Sequence, residues 1–220
     1  MCSASSTSRE HVPPLCVFPE PKDVTDRASH RASLITVPAC TDHNLSKSKD
    51  DEYLMLVLPA HYGTNTVARQ QMRTKVRRAL NRRPELKRRA FAPQAPALLD
   101  GKETGVFLLD LERFNRVFDW MVRGLHFHHT DGIKLRTPLD IYPLTTDSID
   151  IATQRIHNDV RRFSATLFDG RAKLGANPDV FFYQAAVKES RDAAILKLTF
   201  YGGFEVLAIW ENPDPLFSAT

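Results

Sequence analysis

The sequence predicts an α+β fold: a small N-terminal unit, a run of helices and a C-terminal antiparallel β-sheet. Three features lead there. Residues 1–49 are rich in Ser, Thr, Pro and His and carry little helical periodicity; two central stretches repeat apolar residues at helical spacing; and the last part gathers aromatic and β-branched residues into short runs around Gly202-Gly203. At 220 residues, 42% of them apolar, the chain buries a sizeable core as one domain or two small ones.

The elements follow in order. Ser33-Leu34-Ile35-Thr36-Val37-Pro38 is apolar and β-branched and reads as a strand leading into Cys40. Asp50-Asp51-Glu52 precede the run Tyr53 to Leu58, placing carboxylates where a helix N-terminus favours them. Residues 1–58 thus read as loop, strand, turn and helix. Residues 59–92 form a basic helical segment, opened by the cap residue Asn65, with Val67, Met72, Val76 and Leu80 as its apolar line and Pro84 as its break. Pro93-Gln94-Ala95-Pro96 begins a linker over 93–105. In the remaining unit, 106–220, Leu108, Leu111, Phe114, Phe118, Met121, Val122 and Leu125 make a core-facing helix of about five turns that ends over Gly124 to Asp131. A polar, helical stretch from Ser148 to Phe163 follows. The runs 180–183, 194–201 and 204–210 read as strands, with Gly202-Gly203 as a two-residue hairpin turn between the last two.

No stretch approaches the roughly 18 consecutive apolar residues of a membrane span, and the opening MCSASSTSRE lacks the apolar run of a signal peptide, so a cytoplasmic setting without membrane partners is expected. Three cysteines, Cys2, Cys16 and Cys40, then suggest metal ligation or burial ahead of disulfides. The net charge is only +4, but the segment 69–89 holds ten cations against one anion, Glu85. Arg69, Arg73, Lys75, Arg77, Arg78, Arg82 and Arg83 are therefore candidates for binding nucleic-acid phosphates. His126, His128 and His129 with Asp131 sit at a helix C-terminus, where histidine is favoured by the dipole and faces water; a metal role is the lesser reading.

One constellation carries chemistry. His11 is suited to general-base work near neutral pH, and Glu10 beside it offers a hard oxygen of the kind Mg²⁺ takes. Downstream, Asn44 offers an amide oxygen, and Cys40 with His43 has the spacing of half a zinc knuckle, a staple for a segment with little core of its own. Singly these would be a solvated turn, a helix cap and a buried thiol. In combination, Glu10-His11-Val12-Pro13 followed by a strand and by Cys40, His43, Asn44 and Lys47 resembles the HNH endonuclease family, the ββα-metal fold, over about residues 2–58. The resemblance implies His11 as general base, oriented by a polar strand residue for which Ser33 or Thr36 stands. It implies Glu10 and Asn44 as ligands of a catalytic Mg²⁺ or Mn²⁺, and Cys40 and His43, joined by Cys2 or Cys16, around a structural Zn²⁺. The function implied is hydrolysis of DNA phosphodiester bonds; the alternative is a catalytically degenerate HNH-like module that binds nucleic acid without cleaving it.

Overall fold

A computed structural model describes residues 6–24, 29–91, 94–99, 102–145, 151–188 and 193–211; for 41–48, 94, 97–99 and 102–104 it describes the backbone alone. The predicted class holds, with helices packed on antiparallel sheets. Strands β1 (Ser8–His11) and β2 (Thr36–Ala39) pair antiparallel, Ser8 opposite Ala39 and His11 opposite Thr36. Cys40 keeps the extended backbone (φ −94°, ψ 160°), and helix α1 (Thr41–Val57) begins one residue later. The acidic run at Asp50 is therefore mid-helix. It is not the helix start that its charge suggests, because Thr41 follows the strand directly and leaves no turn for the chain to traverse.

Asn65 caps α2 (Thr66–Gln71) as its residue type predicts, its side-chain oxygen accepting from the Ala68 N–H at 3.2 Å. Residues Met72–Val76 wind as a wider π turn before α3 (Arg77–Arg82). Thr74 contributes to that opening, since its hydroxyl donates to the Gln70 carbonyl at 2.8 Å and competes with the backbone ladder. Pro84 separates α3 from α4 (Glu85–Phe91). The expected linker is instead a hairpin of β3 (Gln94–Leu99) and β4 (Lys102–Phe107), with Pro96 opposite Gly105. A two-stranded ribbon is all edge, so the proline's missing N–H interrupts no central ladder.

Helix α5 (Leu111–His129), capped by Asp110, presents Phe114, Val117, Phe118, Met121, Val122 and Leu125 inward. Leu108 and Leu111, read as part of that stripe, lie outside it at 55% and 57% exposure, ahead of the first full turn. The helix ends at His129, within the expected range 124–131, and Gly124 is one of its interior residues. It is buried inside the helix, and a Cβ there would fall 2.8 Å from Val12 Cγ2, so its lack of a side chain lets the segment after β1 lie against α5. Helix α6 (Ile151–Phe168) covers part of the other side of the main sheet. That sheet orders β5 (Asp140–Pro143), β9 (Phe204–Glu211), β8 (Ala193–Phe200), β7 (Phe181–Val187) and β6 (Leu174–Asn177), all antiparallel. The β8–β9 turn spans Tyr201, Gly202 and Gly203, with Phe200 opposite Phe204, and Tyr201 itself takes the left-handed conformation at φ 50°. The hairpin tip meets the N-terminal half closely: a Cβ on Gly203 would fall 2.0 Å from the Gly63 carbonyl oxygen.

One hydrophobic core joins the two ends of the chain. Val12, Val17, Phe18, Val37, Leu54 and Leu58 pack into the same cluster as Phe114, Phe118, Phe200, Phe204 and Trp210. The N-terminal unit of residues 1–58 thus shares the core of the C-terminal sheet, and it has further anchors in side-chain donors. Tyr201, fully buried, donates its hydroxyl to the Val17 carbonyl. Gln71, 1% exposed, donates to Cys16 O and Val17 O at 3.3 and 3.2 Å, and Lys75 donates to Cys16 O at 2.7 Å. These bonds satisfy buried carbonyls that an irregular segment could not pair with itself. Among the described residues, no helix is long and apolar enough to cross a membrane.

Candidate functional site

Glu10 and His11 are consecutive on β1, so their side chains leave opposite faces of the hairpin and do not converge as they would at a turn. Both are half-buried. The His11 side borders a crevice walled by Val12, Pro14, Val117 and Met121, too narrow to hold a water molecule. His11 therefore reaches solvent only by its exposed part. Across the hairpin, Thr36 is the residue expected to orient it, but the Thr36 hydroxyl accepts from Arg9 Nε at 2.9 Å. Ser33, the other candidate, takes a left-handed turn conformation at φ 51° ahead of the strand.

Helix α1 departs at the Ser8–Ala39 end of this hairpin, and by Asp51 it lies against Cys16, whose Sγ is 3.1 Å from the Asp51 carbonyl. His43 and Asn44 are the third and fourth residues of α1; their side chains lie outside the described residues, as does the whole of Cys2. Cys40, buried, stands at the helix start. Eleven residues of helix, about 16 Å, separate it from Asp51, whereas two thiolates on one zinc ion sit about 4 Å apart. Cys16 is thereby removed as a companion of Cys40, and its thiol is instead directed at α1's backbone. Among the described residues, no three His, Cys, Asp or Glu side chains are grouped to hold a metal ion.

Comparison with known proteins finds no matching family model, curated protein or solved structure.

The basic segment divides into two sets. Arg69 donates to Thr64 O at 2.9 Å, Lys75 to Cys16 O, Arg78 holds Asp23 through two bonds of 2.6 Å, and Arg83 pairs with Glu52. These four cations hold the fold. Burial pushes the Lys75 ammonium below its ordinary pKa, and the guanidinium of Arg78 holds the Asp23 carboxyl below the usual range. Arg73, Arg77 and Arg82, with Lys87, Arg88 and Arg89 on α4, are exposed and make no ion pair among the described residues.

Sequence reasoning misses the cluster on which α1 meets α5. Asp50, 5% exposed, accepts from Arg116 Nε and Nη2 at 2.9 and 3.1 Å, and its Oδ1 lies 3.2 Å from Arg113 Nε. Tyr53 adds to it, with its hydroxyl accepting from the Asp110 N–H at 3.0 Å and the Arg113 guanidinium 5.1 Å from its ring centre. The only signal is Arg113 and Arg116 spaced three apart on one helix face, which reads equally well as a solvated surface. The histidine cluster also differs from expectation. His128 and His129 are exposed, but His126 is buried at 4% with its ring edge-on to Trp210, and this burial lowers its pKa.

Proposed function

We propose that this protein is a metal-dependent nuclease of the HNH type that hydrolyses DNA phosphodiester bonds. The supporting observation is the strand, strand, helix order in which Glu10 and His11 lie on the first strand and the second runs without a turn into the helix carrying His43 and Asn44. A carboxylate from Glu10 and an amide oxygen from Asn44 are hard donors, chemically suited to Mg²⁺ or Mn²⁺. When bound there, such an ion would supply charge neutralisation at the scissile phosphate and its leaving oxygen. His11 takes the proton of the attacking water, which must enter from its exposed edge because the crevice on its other side admits none. The exposed Arg73, Arg77 and Arg82 neutralise phosphates of the bound strand. A Zn²⁺ at Cys40 and His43 is proposed only with a ligand other than Cys16.

The second reading, a degenerate module that binds DNA without cutting it, draws on Glu10 and His11 leaving opposite faces of the hairpin, which separates the candidate metal ligand from the candidate base. Supercoiled-plasmid nicking with Mg²⁺ or Mn²⁺, and with EDTA as control, separates the two. His11→Ala is expected to lower cleavage by about two to four orders of magnitude while leaving DNA affinity nearly unchanged. A native protein that binds DNA and never nicks it establishes the degenerate reading; loss of binding in step with cleavage removes His11 from the role of base.

A further inference from the structure

The face formed by the π turn, α3 and α4 is more than a string of cations. Met72, Val76 and Leu80 form the floor of an open groove of about 690 Å³ that ends at Pro84, and Arg73, Arg77 and Lys87 stand along its rim. Leu80 and Met72 are only half-buried, and they are backed by the cluster of Tyr53, Leu56, Leu86 and Phe91, so the floor is fixed. DNA alone does not account for this surface. A phosphate backbone satisfies the rim and leaves the apolar floor unfilled, whereas an apolar ligand without charge leaves the cations unanswered.

We propose that this groove is the docking site of an acidic amphipathic helix from a partner protein. Charge complementarity decides the occupant, since the rim presents three cations that make no ion pair among the described residues. The floor sets its form. Met72, Val76 and Leu80, spaced four residues apart on one face with Val76 buried between the other two, run about two helical turns, which matches the apolar line of a two- to three-turn helix laid alongside. Aspartate or glutamate on the flanks of that line meets Arg73 and Arg77 on one side and Lys87 on the other. Two of these cations also belong to the proposed DNA-binding face, so a docked helix excludes DNA from it. The docking itself does not depend on the nuclease reading.

The test uses the full chain and a labelled synthetic 18-residue helix with leucine at the i, i+4, i+7 line and glutamate beside it, followed by fluorescence anisotropy. The control peptide has the same composition in scrambled order. The patterned peptide is expected to bind at least tenfold more tightly than the scrambled one. Leu80→Ser should weaken it about tenfold through reduced apolar burial while duplex DNA affinity is kept. The exposed Arg77→Glu should abolish peptide binding with an unchanged thermal midpoint, which keeps the test independent of folding. Equal binding of the two peptides overturns the proposal. So does an unchanged affinity in Leu80→Ser, or a loss of DNA affinity in that variant as large as the loss for peptide, which would make the groove a nucleic-acid contact. Plasmid nicking, read separately, bears on His11 and leaves this result untouched.

Discussion

Tyr201 illustrates how much a single side chain carries here. Its ring is fully buried and its hydroxyl, the donor to Val17 O, ties residues 184 positions apart in sequence. Gln71 also donates to that carbonyl, so Tyr201→Phe leaves the acceptor partly satisfied and should cost about 1 kcal/mol, seen as a lower denaturant midpoint at unchanged slope. His126 makes a pH-dependent contribution. Burial against Trp210, with the charge of His129 as a lesser cause, lowers its pKa from the ordinary 6.5, so the unfolded chain binds the proton more readily than the folded one. Its stabilising contribution is complete above pH 6.5 and is lost as the pH falls through the folded value. The thermal midpoint should therefore drop between pH 7 and 5, and His126→Phe should flatten that drop.

At the scale of elements, Gly124 and Val12 meet so closely that the effect of one substitution changes sign with the other. Alanine favours a helix over glycine by about 1 kcal/mol, but at position 124 its Cβ would fall 2.8 Å from Val12 Cγ2, and overpacking of that kind costs about 1–3 kcal/mol. Gly124→Ala should lower stability in the native chain and raise it in a Val12→Ala background, as measured by a double-mutant cycle of urea unfolding. The elements legible in the sequence are those written in local pattern: the β2 strand, the Asn65 cap, the inward stripe of α5 and the aromatic strands of the sheet. What stays illegible is partnership. Asp50 reads as a helix opener because its partners, Arg113 and Arg116, lie more than sixty residues on, and the β3–β4 hairpin reads as a linker because a proline such as Pro96 at an unshared edge violates nothing. In the candidate site, the residue types of Glu10, His11, Cys40 and Asn44 are visible, whereas the opposite facing of Glu10 and His11 and the distance of Cys16 from Cys40 depend on strand register and helix length.

For the whole molecule, the net charge conceals a division of labour. Of the cations proposed to hold DNA, Arg69, Lys75, Arg78 and Arg83 are engaged internally, and Arg73, Arg77 and Arg82 remain. Replacing those three by alanine should weaken DNA binding alike on all sequences and lower the salt slope by about 0.9 for each phosphate that is no longer neutralised, with the thermal midpoint unchanged. Arg78→Ala should do the reverse, lowering the midpoint through loss of the Asp23 pair and leaving the salt slope as it was.

The joining of Val17 to Tyr201, and of Gly63 to the Gly203 turn, also has a bearing on timing. During synthesis, the segment with Glu10, His11 and Asn44 leaves the ribosome some 150 residues before the hairpin that completes its packing. Until β8 and β9 emerge, Val12, Val17 and Phe18 lack half of the other aromatic residues of their cluster, and α1 has no finished core to lie against. A nascent chain therefore carries the candidate catalytic residues in unassembled form, and the site comes into being only as the last strands of the sheet close. Under the proposed nuclease activity, such an order of assembly keeps the unfinished molecule harmless to the DNA around it.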